Sequence, residues 1–229
     1  MTKPGLFIVI EGTDGAGKGT QTELLHKRLS KEGHKIAVFD FPQYGKPSAH
    51  FVERYLNGKY GSVDEVNVYQ ASLYYAMDRL EAGFAIREAL ADGKIVLANR
   101  YVGSNMAHQG ARFADSEERK AFFEWIEDLE FGLLGIPRPD LNVVLHMPAA
   151  LAQKLVDKKK QREYLGTKKR DIHEDDLHHL QKAEQAYLEM AKLFPTIFHL
   201  IECAEGGKVA TKKEVSEKVW SAIKAKLPR

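Results

Sequence analysis

The chain has 229 residues, 44% hydrophobic and 29% charged, with a net charge of +2; these are ordinary globular values, and the length suits a single α/β domain over 1–229 better than two full-sized ones. A net charge of +2 is too small to imply a nucleic-acid partner by itself, and no run of 18 apolar residues exists to cross a membrane. The first apolar run begins within six residues of Met1 and the lone Cys203 cannot form an internal disulfide, so the expectation is a cytoplasmic protein with no signal peptide and no nucleic-acid or membrane partner.

In chain order, Phe7 to Glu11 reads as a strand, followed by a glycine-rich loop and a helical stretch from Thr20 to Lys31 that ends at Gly33. Lys35 to Phe39 is a second strand. Asp92-Gly93 closes the helical pattern before a third, Lys94 to Asn99. Ser116-Glu117-Glu118 opens a later helix, Leu141 to His146 is a fourth strand, and a short helix begins near Ala149. Phe198 to Glu202 is the fifth strand, and Thr211-Lys212-Lys213-Glu214 reads as a capping box for the last helix. Strands and helices that alternate in this way predict a parallel sheet with helices on both faces, because a parallel crossover needs a dozen residues. Ligands then sit at the carboxyl ends of the strands, near Glu11 to Thr20, Asp40 to Tyr44 and Asn99 to Gln109.

The loop itself is the most informative segment: Gly12, Thr13, Asp14, Gly15, Ala16, Gly17, Lys18, Gly19, Thr20. Glycines at this spacing let successive backbone N–H groups point at a polyphosphate, Lys18 can reach the outer phosphates, and the following helix adds its positive end. The residue after Lys18, usually a Ser or Thr on Mg²⁺, is Gly19. The hydroxyl comes one place later, at Thr20, which makes Thr20 the expected metal residue, acting through water. Phosphoryl transfer needs positioning and charge neutralisation more than covalent help, and Lys18, Arg79 and Arg100 are the cations placed to supply it.

Taken together, the motifs resemble the thymidylate kinase family along nearly the whole chain. The matching pieces are Glu11 to Lys18, Phe41-Pro42-Gln43-Tyr44-Gly45, Tyr75-Ala76-Met77-Asp78-Arg79, Asn99-Arg100-Tyr101-Val102-Gly103-Ser104-Asn105, Pro137-Arg138-Pro139-Asp140, and a basic segment before Asp171. The resemblance implies a P-loop NTPase-type, doubly wound fold with a five-stranded parallel sheet and a mobile basic lid at about 157–176. It further implies transfer of the γ-phosphoryl of ATP, with Mg²⁺, onto dTMP to give dTDP for dTTP synthesis, and a homodimer. It puts ATP on Gly12 to Thr20. The acceptor falls on Asp14, Phe41, Pro42, Tyr44, Tyr75, Arg79, Arg100, Ser104, Asn105, His108 and Gln109, with Tyr75 stacked on the base and the amide of Asn105 at its Watson–Crick edge. Lys18, Arg100 and the lid residues Arg162 and Arg170 are the expected catalytic cations, since the phosphate loop has no Arg of its own. Two rivals stay open: a kinase of AMP, CMP or UMP, suggested by the wording Gly15-Ala16-Gly17-Lys18-Gly19-Thr20-Gln21-Thr22, and a nucleotide-binding regulator without turnover.

The chain departs from the family pattern in three places. Asn99 stands where an Asp usually helps organise the metal, Gln43 and Tyr44 follow Phe41-Pro42 where an Arg is common, and His108 occupies a position that commonly carries Tyr or Phe near the sugar. Surface ion pairing to Asp78 or Glu81 is the plain alternative for Arg79. His173 and His178 are five residues apart, not the four that would put both on one helical face, so no zinc site is read from the histidines that follow the basic segment.

Overall fold

A computed structural model describes residues 5–156 and 177–227. Five strands form one parallel sheet: β1 (Leu6–Glu11), β2 (Ile36–Asp40), β3 (Ile95–Asn99), β4 (Leu141–His146) and β5 (Phe198–Glu202), in the order β2-β3-β1-β4-β5. The strands expected from sequence are all present, with ends shifted by at most a residue. The first helix, α1 (Lys18–Lys31), starts two residues earlier than expected because Gly17, left-handed at φ 90°, turns the chain directly into it.

Side-chain alternation along β1 explains the layers. Phe7 and Val9 face one core with α3 (Val68–Ala91), α4 (Val102–Gly110), α5 (Ser116–Glu127) and α7 (Leu177–Leu193), whereas Leu6, Ile8 and Ile10 face the other with α1 and α8 (Lys212–Ile223). Every residue of β1 is buried, as expected of a central parallel strand. Asp115 caps α5 with two hydrogen bonds, and Thr211 and Glu214 form the predicted capping box of α8. Sequence reading left unmarked the short helix α2 (His50–Leu56), the π-helical turn Asp128–Leu133, and a hairpin of β6 (Ala204–Glu205) with β7 (Lys208–Val209) on the two-residue turn Gly206-Gly207. Cys203 is buried, and burial pushes its thiol up to about 12, so it is an inert core residue. Among the described residues no helix is long and apolar enough to cross a membrane.

All five strands end on a polar residue: Glu11, Asp40, Asn99, His146 and Glu202. This edge of the sheet carries the chemistry. One of the five is structural. His146 bonds Glu202 on β5 through Nδ1 at 2.7 Å and Glu184 on α7 through Nε2 at 2.8 Å, and Glu184 also accepts from the N–H of Ala149 at the start of α6 (Ala149–Val156). Burial alone would lower the pKa of His146, but the two carboxylate bonds outweigh it and hold the pKa above its ordinary value. A group whose folded pKa is raised stabilises the fold fully below about pH 6.5 and loses that contribution as the pH climbs through the folded value. The urea midpoint of His146→Asn is therefore expected to trail that of the wild type by more at pH 6 than at pH 9. A gap that widens with pH would show the imidazole to be neutral in the folded state.

Candidate active site

The phosphate loop closes against α6. A Cβ on Gly15 would lie 2.2 Å from the carbonyl oxygen of Ala152, and one on Gly12 would lie 2.6 Å from that of Leu145, so neither position accepts a side chain. Gly17 gives α1 no side-chain cap, which leaves the first N–H groups of the helix directed at the loop. Lys18 is buried and curls over the loop, donating to the carbonyl of Thr13 at 2.9 Å, with Asp14 3.8 Å away. Thr20 follows in the first turn of α1, half-buried.

Beside the loop lies a cleft of about 610 Å³ between α3 and α4. All eleven positions expected to contact the acceptor line it, from Asp14 through Gln109, although they come from four separate stretches of chain. Leu56, Asp78 and Tyr101 line it as well, unanticipated from sequence.

Arg100 sits where cleft and loop meet. It is a non-glycine residue at φ 65°, a conformation held in place by its bonds to both sides. Its guanidinium donates to Asp14 at 2.7 Å, to Ser104 Oγ at 2.9 Å and to the carbonyl of Gly12 at 3.3 Å, with His108 Nε2 also at 3.3 Å. The hydroxyl of Ser104 is engaged further by Glu11 and Tyr187, so its duty is to hold the frame. Burial pushes the Tyr187 phenol well above its usual value, aided by the nearby Glu11 carboxylate, and keeps it a neutral partner.

Two groups of the cleft are held by Glu130, a residue that none of the motifs contains. Arg79 does not pair with Asp78 or Glu81 at the surface: it is 2% exposed and forms a two-pronged ion pair with Glu130, Nε to Oε2 at 2.6 Å and Nη2 to Oε1 at 2.5 Å. Asp78 instead fixes the loop after β2, accepting from the backbone N–H and side-chain amide of Gln43 and from Ser48. Asn105 does not offer donor and acceptor together. Its Nδ2 donates to the carbonyl of Ser72 at 3.2 Å and to Glu130 at 3.1 Å, two groups that can only accept, so the amide orientation is fixed and Oδ1 stands buried without a partner. One turn along α4, Gln109 Oε1 accepts from Arg112 at 3.4 Å and its buried Nε2 is likewise unpartnered. The cleft thus holds one unsatisfied acceptor and one unsatisfied donor on a single helix face. They complement a planar ring that presents an N–H next to a carbonyl.

Glu130 was missed because nothing local marks it; it lies 51 residues from Arg79 and reaches it from the π-helical turn Asp128–Leu133. The expected lid at about 157–176, with the catalytic candidates Arg162 and Arg170, and His173 lie outside the described residues.

Residues 10–215 match the family model for thymidylate kinase. The thymidylate kinase of Mycobacterium tuberculosis is 34% identical over 187 residues, covering 81% of this chain and 86% of that protein. A probable thymidylate kinase of Thermococcus gammatolerans is 32% identical over 200 residues, covering 84% and 86%. In three dimensions the fold is similar to that of thymidylate kinase from Candida albicans, with a TM-score of 0.73 over 97% of this chain and 92% of that one, at 23% sequence identity.

Because Glu130 is fully buried beneath two groups of the cleft, removing it strands the Arg79 charge. Glu130→Ala is expected to cost about 3 to 5 kcal/mol in denaturant unfolding. A loss below about 1 kcal/mol would mean that water or another carboxylate already serves Arg79.

Proposed function

The chain belongs to the thymidylate kinase family, and on that footing we propose that it transfers the γ-phosphoryl group of ATP to dTMP, giving dTDP. An oxygen of the acceptor phosphate attacks the γ-phosphorus, the bond to the β–γ bridging oxygen breaks, and ADP leaves. No acid or base need be supplied for this exchange, so catalysis rests on alignment and on cations. Lys18 faces the donor phosphates from the loop, and Arg100, at the junction of loop and cleft, can span two oxygens of the acceptor phosphate.

The observation that carries the choice of base is the unpartnered pair on α4. Thymine offers N3–H to Asn105 Oδ1 and an adjacent carbonyl to Gln109 Nε2. Cytosine and adenine present a bare ring nitrogen at the corresponding position, which would set acceptor against acceptor. Tyr75 provides a ring face in the same cleft, and stacking on a base contributes about 1 to 3 kcal/mol. Together with family membership, this edge chemistry disfavours the AMP and CMP rivals, and the intact array of Lys18 and Arg100 speaks against a regulator without turnover.

Mg²⁺ is the proposed partner of ATP, and the oxygens near Gly19 fit it: Asn99 Oδ1 and Thr22 Oγ1 are buried without partners. When bound it supplies charge neutralisation at the phosphates. We further propose a cytoplasmic protein, in keeping with an unpaired thiol at Cys203, and a homodimer whose partner covers the outer stripe of α3. There Tyr69, Leu73, Met77 and Phe84 are 42% to 63% exposed along one helix face, an apolar stripe of the kind that a symmetric partner can cover.

An ADP-release assay with ATP, Mg²⁺ and a panel of monophosphates tests the reaction. Relative to dTMP, kcat/KM for dUMP is expected to fall by about 10- to 200-fold, the worth of one methyl in a pocket, and that for dCMP by about 10⁴-fold, the cost of mismatched buried polar groups. Turnover of dCMP or dAMP at rates near that of dTMP would exclude the assignment. For the assembly, Met77→Lys should convert dimers to monomers in light scattering; a monomeric wild type would remove the α3 interface.

A further inference from the structure

We propose that the carboxylate serving the divalent cation in this chain comes from the end of β2, at Asp40, rather than from the end of β3. The inference rests on the kinase reading above, since it concerns the cation that accompanies ATP. A second cavity, of about 560 Å³, opens between α1 and the carboxyl ends of β2 and β3. Gly19 forms part of its wall, and a Cβ built there would meet nothing within 4 Å. The cavity therefore continues into the space beside the phosphate loop that a side chain at position 19 would fill.

Asp40 and Asn99 are register partners across β2 and β3 and line this cavity together. Asn99 Nδ2 donates to Asp40 Oδ1 at 2.7 Å. A carboxylate accepts only, so the bond fixes the amide with its nitrogen toward Asp40, and Asn99 Oδ1 is left buried with no partner. Thr22, 7% exposed on the same wall, has its Oγ1 buried and unpartnered too. The exposed Asp40, which carries a carboxylate, and Asn99 and Thr22, each with a buried oxygen that has no partner, line one space beside the phosphate loop. Mg²⁺ takes such a set: one or two carboxylates, with waters and phosphate oxygens completing the octahedron.

Other carboxylates near this edge of the sheet face different partners. Glu11 accepts from two backbone N–H groups and two hydroxyls, Asp14 faces Arg100 and Lys18, and Asp78 faces Gln43 and Ser48. Glu23, also on the cavity wall, pairs with Lys27. His26 on that wall offers nitrogen, which suits softer metals than Mg²⁺. Asn99 by itself presents a hard dication only a dipole; Asp40 brings the full charge to the same edge of the sheet.

The test replaces Mg²⁺ by Mn²⁺ and needs no acceptor. The affinity for a β,γ-methylene ATP analogue is measured by calorimetry with EDTA and with Mn²⁺, and enzyme-bound Mn²⁺ is followed by electron paramagnetic resonance, for wild type, Asp40→Asn, and Asp40→Asn combined with Asn99→Asp; circular dichroism checks each fold. Asp40→Asn is expected to lose about tenfold or more of the affinity gained through Mn²⁺, with metal-free binding altered by no more than about twofold, and the double variant is expected to recover most of the loss. Equal gains in wild type and Asp40→Asn overturn the inference and leave the kinase reading intact. A loss that Asn99→Asp does not recover also overturns it, because Asp40 would then act through the local fold. A wild type that gains nothing from Mn²⁺ overturns both.

Discussion

The buried carboxylate of Glu11 is the constraint from which the rest of the site takes its position. It closes β1 immediately before the phosphate loop and accepts from the N–H of Tyr101 at 2.9 Å, the N–H and hydroxyl of Ser104 at 3.1 and 2.6 Å, and the hydroxyl of Tyr187 at 3.1 Å. An unpaired carboxylate buried this deeply would cost several kcal/mol, so four converging donors are what make the position tenable. Two of them are backbone groups at the start of α4, where a negative charge also meets the positive end of the helix. The same contact explains Gly103, because a Cβ there would lie 2.9 Å from Glu11 Oε1 and 3.0 Å from the Phe198 ring. Loop, α4 and α7 are thereby locked to one another.

With that frame fixed, the site divides its charges in two. Near the loop, Asp14 and Arg100 meet on the wall of the cleft, partly reachable by solvent, with the buried Lys18 beside them. Deeper in, Arg79 and Glu130 form a dry, two-pronged pair that also takes one hydrogen of Asn105. The deep pair contributes little net stability by being ionic, since desolvation offsets its attraction, but it holds two neighbouring groups in fixed orientations. Its product is the bare Oδ1 of Asn105. On the proposed reading, a base edge is selected through an ion pair that need not touch the base.

The strand ends show a similar economy. His146 and Glu202 join β4 and β5 to α6 and α7, Glu11 holds α4, and only Asp40 and Asn99 open on a cavity that reaches Gly19. Substitutions that look like losses one at a time in sequence, Gly after Lys18 and Asn before Arg100, fall on the two sides of that cavity.

The strands and the phosphate loop were legible because their causes are local: period-two apolar runs, glycines required by positive φ, and capping residues adjacent to the helices they cap. The motifs also sufficed to place the chain in its family and to name residues that line one cleft, most of them in the segments that follow β1, β2 and β3, with Tyr75 and Arg79 reaching in from α3. The partner of Arg79 could not be read, since Asp78 and Glu81 are near in sequence while Glu130 is near only after α3 and the π-helical turn pack together. Nor could the free atom of Asn105 be named before its donors were seen to be occupied, or the charge missing at Asn99 be found on Asp40, a residue 59 positions away and one strand across. The sequence by itself determined which backbone conformations and residue types are available. Only the tertiary structure decided which polar groups satisfy one another and which are left for a ligand, because burial makes each such pairing depend on every neighbour brought within hydrogen-bond distance.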